Sequence, residues 1–230
     1  MSLIEIENSL GQVYEQIDGS AEHLAEDEPG IRRTLLRLEE VCYVLRDTTR
    51  ICLCSASELE QDSGGTSMEV LAYLLPLLPQ QLGDRNFMKD HAVRLPYMCG
   101  AMANGIASER LVIAMGEAGL LGSFGAAGLV PSRIEEAIQT IQTSLPEGPY
   151  AFNLIHSPSE DAIERAAAEL FLKHHVKTVE ASAFLDLTPH IVHYRVNGLS
   201  QGPGEQVMIG NRVIAKISRS EVAEKFIATL

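Results

Sequence analysis

From residue 95 onward, short apolar runs alternate with longer segments in which apolar positions recur at helical spacing. The apolar runs predict strands at 95–99, 120–124, 150–155, 177–182 and 212–217. The longer segments predict helices near 107–118, 131–144, 159–174 and 219–227. Strands that alternate with helices of this length predict parallel pairing through right-handed crossovers. Rossmann-like and barrel layouts both satisfy this alternation.

The predicted helix at 159–174 has a recognisable apolar face. Ile163, Leu170 and Phe171 recur at helical spacing, and the same pattern places Glu164 away from the buried side. We therefore expect Glu164 to be solvated.

The first 66 residues have a different character from the rest of the chain. Their pattern predicts a short helix and two strands joined by a turn, at 31–40, 41–45 and 50–54. A polar, glycine-bearing segment follows at 60–67 and resembles a linker. We therefore divide the chain into a small α+β N-terminal appendage, 1–66, and a main domain, 67–230.

The net charge and the spacing of the cysteines argue against several classes of function. A net charge of −13 argues against nucleic acid or an anionic membrane as the principal partner. No apolar run reaches the length of a membrane span, and the polar amino terminus does not resemble a signal peptide. The four cysteines lack zinc-ligand spacing, so we expect reduced thiols in a cytoplasmic protein and no metal site.

Very small residues follow the first two predicted strands, as GAMANG at 100–105 and GAAG at 125–128. Ligands of parallel α/β folds sit at the carboxyl ends of the strands, and small residues there let a ligand approach backbone N–H groups. The pattern therefore indicates half of a cofactor cradle. Plain turns and helix–sheet packing account for the same residues equally well.

Longer stretches identify a family resemblance: GAMANGIAS, AGLLGSFGAAGL, EASAFLDLTPHIVHYR and NRVIAKISRSEVAEKF. Together with LPQQLGDRNFMKDH, they resemble the PfaD family over roughly residues 75–227. These proteins are trans-acting flavin-dependent enoyl reductases of polyunsaturated-fatty-acid and polyketide synthases, related to nitronate monooxygenases. The resemblance implies a partial (β/α)8 TIM barrel of about the first five strands, and a truncated chain.

The resemblance also implies site residues by position. Those expected to line FMN are Gly100, Ala101, Met102, Asn153, Ala181 and Ser182. For Asn153, a carbonyl of a neighbouring loop is the alternative partner to the flavin. The family's catalytic histidine is expected beyond residue 230, which leaves His156 as the candidate within this sequence. Lys216 and Arg219 are interpreted as surface charge, with a phosphate of NADPH or a pantetheine arm as the alternative.

The resemblance implies that hydride flows from NADPH to FMN and then to an enoyl thioester on an acyl carrier protein. The expected function is therefore an enoyl reductase of polyketide or polyunsaturated fatty acid biosynthesis. Two alternatives remain: a nitronate monooxygenase-like flavin oxidase, and an inactive interaction module. Such a module would need a complementing chain or a homo-oligomer, because a five-stranded part of a barrel has open edges.

Overall fold

The computed structural model describes residues 16–19, 24–47, 49–59 and 66–227. Contacts within the chain divide it into two compact units, Met1–Leu82 and Gly83–Leu230.

The N-terminal unit is built on an antiparallel sheet of four strands. The strands are β1 (Gln16–Gly19), β2 (Cys42–Asp47), β3 (Arg50–Ser55) and β4 (Thr66–Leu74), in the order β1-β4-β2-β3. Helix α1 (Glu28–Leu35) precedes β2, and the short helix α2 (Ala56–Leu59) follows β3. The predicted helix and hairpin are present. Helix α1 begins before residue 31 because the Asp27 carboxylate accepts a hydrogen bond from the Gly30 N–H at 2.8 Å and caps it.

Strand β4 begins at the predicted domain boundary, and no strand was predicted there. It pairs with both β1 and β2, and Met68 packs against Leu45 and Cys52 in this unit's core. The strand therefore lies in the N-terminal sheet, and the predicted boundary falls at its first residue.

The C-terminal unit is an α/β fold with a parallel sheet of five strands. These are β5 (Met98–Cys99), β6 (Leu121–Phe124), β7 (Ala151–Ile155), β8 (Thr178–Ser182) and β11 (Arg212–Lys216), in the order β11-β8-β7-β6-β5. The helices are α3 (Arg85–His91), α4 (Glu109–Glu117), α5 (Pro131–Ser144), α6 (Asp161–Lys173), α7 (Pro189–Asn197) and α8 (Ser220–Ile227). All the strands and helices predicted from residue 95 onward are present. Helix α7 and the hairpin of β9 (Leu199–Gln201) and β10 (Val207–Ile209) were not predicted.

The main apolar core lies between the sheet and its helices. Phe152 of β7 packs against Phe124 of β6 and Phe171 of α6, with ring centroids 5.4 and 5.5 Å apart. On α5, Ile134 and Ile138 are buried against the same core one turn apart. The outer face of the sheet is therefore covered by helices.

The opposite, inner face of the sheet has two layers. Met98 and Leu121, the first residues of β5 and β6, form an apolar cluster with Ile214 of β11. Phe87 and Val93, which lie in and just after α3, belong to the same cluster. Nearer the strand ends the inner positions are polar. Strand residues alternate between faces, so Ser123, Asn153 and Glu180 point away from the core residues on either side of them. This second layer carries the candidate site.

Candidate functional site

The carboxylate of Glu180 on β8 lies at the centre of the polar layer. Its side chain is 1% exposed, and one oxygen accepts the Ala101 N–H at 2.8 Å. The other oxygen lies 2.6 Å from the ammonium of Lys216 at the end of β11. Lys216 is therefore not ordinary surface charge, contrary to the interpretation from sequence.

The contact between Glu180 and Ala101 is possible only because the parallel sheet is curved. Strand β8 is separated from β5 by β6 and β7, which in a flat sheet is about 14 Å at the usual strand spacing. A glutamate side chain cannot bridge that distance. The sheet is therefore curled into a half-barrel, as the family resemblance implied for an incomplete barrel.

Burial and hydrogen bonding shift the pKa of Glu180 in opposite directions. Burial raises the pKa of this carboxyl, and hydrogen bonds from Lys216, Ser123 and the Ala101 backbone lower it. The net effect holds the pKa of Glu180 below its ordinary value of 4.5. Glu180 is therefore a carboxylate near neutral pH, and its charge is balanced by Lys216.

Asn153 is buried in the same layer and its amide is satisfied within the protein. Its NH2 group donates to the backbone carbonyl of Glu180 at 3.1 Å and to the Ser182 hydroxyl at 2.9 Å. The carbonyl partner therefore belongs to the neighbouring strand, whereas the alternative expected from sequence was a carbonyl of a neighbouring loop. Ala181 lies between these partners on the outer face, where its side chain packs in the helix-covered core.

The small residues at the strand tips serve different purposes. A Cβ on Gly125 would lie 1.7 Å from the Met102 carbonyl oxygen, so this glycine lets the β5–α4 and β6–α5 loops pack together. Gly128 has the same role against Asn104. A Cβ on Gly100 would instead meet the Glu180 carboxylate at 3.5 Å, an ordinary contact. Packing therefore explains the second cluster, and the bare backbone beside the charged pair is at Gly100.

His156 lies at the same end of the sheet, but the hydrogen-bond partner of its ring is on helix α6 and not in the polar layer. Its Nδ1 is 2.7 Å from a carboxylate oxygen of Glu164 on α6, and its ring lies 5.4 Å from that of Phe184. The other oxygen of Glu164 accepts the hydroxyl of Thr188, the N-cap of α7. The Nε2 of His156 is therefore the nitrogen left for another group.

The expectation that Glu164 is solvated was wrong. Glu164 is 2% exposed, whereas Ile163, predicted to be buried, is 49% exposed. The buried stripe of α6 runs through Glu164, Ala168 and Phe171 because the bonds from His156 and Thr188 make burial of the carboxylate possible. Its signal in the sequence was the spacing to Ala168 and Phe171 at i+4 and i+7.

Two further findings concern the whole described chain. Among the residues that the structure describes, no group of three or more His, Cys, Asp or Glu side chains is placed to hold a metal ion. In the same residues, every helix is too short or too polar to cross a bilayer.

Comparison with known proteins finds relatives that are named as parts of fatty acid and polyketide biosynthesis. It is 44% identical to a polyunsaturated fatty acid synthase subunit of Thraustochytrium sp. over 86% of this chain and 13% of the relative. It is 41% identical to the polyketide biosynthesis protein PksE of Bacillus subtilis over 65% of this chain and 20% of the relative. The chain thus spans at most a fifth of the length of these two relatives. No family model matches the sequence.

A solved structure shares the fold. The enoyl reductase domain of MlnA, from the macrolactin biosynthesis cluster of Bacillus amyloliquefaciens, superposes with a TM-score of 0.61 at 37% identity. The match covers 63% of this chain and 33% of that one.

Proposed function

Because the chain belongs to the PfaD-like enoyl reductase family, we propose that it contributes the ring-binding side of an FMN-dependent enoyl reductase site. The reductant is NADPH and the substrate is an enoyl thioester on an acyl carrier protein of a fatty acid or polyketide synthase. The observation that carries the proposal is the polar inner layer, in which Glu180 joins the ends of β5, β8 and β11.

The residues of this layer fit a flat, polar-edged ring. Gly100 offers backbone without a side chain, and Ser182 and Lys216 offer a hydroxyl and a cation nearby. When bound, FMN supplies the hydride chemistry. The Lys216 ammonium favours negative charge at this end of the sheet, and Glu180 holds the ammonium in place. The Ala101 N–H is engaged by Glu180, so we assign ligand contact to Gly100 and Met102 before Ala101.

The substitution Gly100→Ala tests the proposal. The added methyl has only ordinary contacts, so the fold is retained, but the methyl covers the backbone where the ring would lie. We expect FMN to bind the wild-type chain, measured by quenching of flavin fluorescence, and Gly100→Ala to weaken binding at least tenfold. Ile163→Ala, on an exposed position of α6, is the matched control and leaves binding unchanged. Failure of the wild type to bind FMN, or equal binding by Gly100→Ala, contradicts the proposal.

We also assign His156 to the site as a proton-carrying group at the rim, with Glu164 as its positioning residue. Nitrogen-15 shifts of the His156 ring report which nitrogen carries the proton. We expect Nδ1–H in the neutral wild-type ring, because Nδ1 faces the carboxylate, and loss of this preference in Glu164→Met, which has no acceptor oxygen. A mixture of tautomers in the wild type would show that Glu164 does not orient the ring.

The edges of the parallel sheet favour a second candidate. Within the described residues, β5 and β11 each pair with a single strand, so each has one unpaired side. A complementing chain or a second copy that pairs with these edges would make the chain an interaction module. A concentration-dependent mass in analytical ultracentrifugation, without FMN binding, supports this candidate over the first.

A further inference from the structure

A second cleft, of about 620 Å³, lies at the other end of the parallel sheet, where the strands begin. It is lined by the first residues of β6, β8 and β11, by helix α3, and by the loops at 146–149 and 174–177. These are the amino-terminal ends of the strands, so the cleft is distinct from the candidate site at the carboxyl ends.

The lining has a net positive charge, three cations against two acids, although the chain carries a net charge of −13. Lys89, Lys177 and Arg212 reach the cleft from three different elements, and none of them forms an ion pair with any described residue. Two acids, Asp90 and Glu147, also line it. Arg212 and Lys177 are neighbours, because the backbone N–H of Arg212 donates to the backbone carbonyl of Lys177 at 2.8 Å.

His91 adds a buried polar atom that lacks a partner. Its ring lies 4.6 Å from that of Phe87, and its Nδ1 is buried with no hydrogen-bond partner among the described residues. Burial lowers the pKa of His91, and the charge of Arg212 lowers it further, against an opposing effect of Asp90. A buried ring nitrogen without a hydrogen-bond partner is unfavourable unless a further group satisfies it.

We infer that this cleft binds a phosphate-type oxyanion, with Arg212 and Lys177 as its main contacts and His91 as an additional donor. An oxyanion with several acceptor oxygens matches cations that converge from separate elements, and the Arg212 guanidinium can bind two of those oxygens at once. The inference does not depend on the proposed function, because it concerns the opposite end of the sheet.

The experiment is a titration of the full chain with inorganic phosphate at constant ionic strength, followed by amide shifts in two-dimensional NMR. We expect saturable shifts around Lys177 and Arg212, a rise in the pKa of His91, and at least tenfold weaker binding in Arg212→Gln. Lys177→Gln provides a second variant should Arg212→Gln fail to fold. Arg110→Gln, which removes an exposed cation of α4 outside the cleft, is the control and binds as the wild type does.

The outcomes distinguish a specific oxyanion site from general attraction of anions to positive charge. Equal shifts with chloride, or equal weakening in Arg110→Gln, would overturn the inference. A parallel titration with an alkyl phosphate distinguishes the source of the ligand. Tighter binding of the ester than of inorganic phosphate indicates a phosphorylated metabolite, whereas the reverse indicates free phosphate, and either result supports the oxyanion site.

Discussion

Replacing Glu180 by glutamine tests how the half-barrel is held together. The substitution keeps the shape of the side chain and removes its charge. The carboxylate accepts from Ala101 with one oxygen and from Lys216 with the other. A glutamine has a single carbonyl oxygen, so its NH2 group must face one of these two donors. One hydrogen bond is lost and two donors are brought together.

The expected cost follows from the surroundings of each partner. Hydrogen bonds to charged groups contribute roughly 1.5–3 kcal/mol. Removing one member of a fully buried ion pair costs roughly 3–5 kcal/mol. The side chain of Lys216 is 58% exposed and can turn towards water, so the larger penalty does not apply. We expect Glu180→Gln to lower the free energy of unfolding by about 2 kcal/mol.

Urea unfolding followed by circular dichroism measures this loss, since the chain contains no tryptophan. Hydrogen exchange of the Ala101 amide gives a local measurement and should become faster in the variant. Asp186→Asn, which removes an exposed partner of Lys225, is the matched control and should leave the urea midpoint unchanged. Unchanged stability in Glu180→Gln together with unchanged exchange at Ala101 would refute the assignment of Glu180 as the link between strands.

The ion pair of Glu180 and Lys216 should also make the stability of the protein depend on pH. Because the pKa of Glu180 is depressed in the folded protein, its contribution to stability is present above its ordinary value of 4.5. That contribution is lost as the pH falls through the lower folded value. The stability difference between the wild type and Glu180→Gln should therefore shrink on acidification below pH 4.5. A constant difference down to the acid limit would contradict the depressed pKa.

Three further predictions concern other parts of the chain. Burial raises the pKa of Cys54 to about 12, so a thiol reagent should modify the part-exposed Cys99 first, as mass spectrometry of the labelled protein would show. Gly125→Ala should destabilise the protein by about 2–4 kcal/mol in urea unfolding, because its methyl would overlap a backbone carbonyl of the adjacent loop. Tyr194→Phe should cost about 1–2 kcal/mol in the same assay, because the buried hydroxyl donates to a backbone carbonyl at 2.6 Å.

The fold was predictable from sequence wherever the pattern had a clear period. The parallel strands and the helices between them were found because each strand is a short apolar run and each helix has a repeating apolar face. Helix α7 was missed because its polar and apolar residues are mixed around its axis, and only Ile191 and Tyr194 are buried. The hairpin of β9 and β10 was missed because its strands are three residues long and exposed.

The site was harder to predict, because its central residues contradict their local pattern. Glu180 lies in a strand and Glu164 in the buried stripe of a helix, and each looks like an ordinary solvated acid in the sequence. Their burial is possible only through partners that are distant along the chain, such as Ala101 for Glu180. No local period carries that information.

Glu180 also determines how the ends of the strands are arranged before a ligand binds. Glu180 ties β8 to both ends of the sheet order, through Ala101 after β5 and Lys216 on β11. The curvature that brings these tips together is therefore supported by polar bonds within the described part of the chain. A ligand at Gly100 would meet a layer already arranged around one charged pair, and binding would require little rearrangement of the strands. On the proposed function, Glu180→Gln should therefore weaken FMN binding through loss of this arrangement, whereas Gly100→Ala should do so by direct obstruction with the strands unmoved.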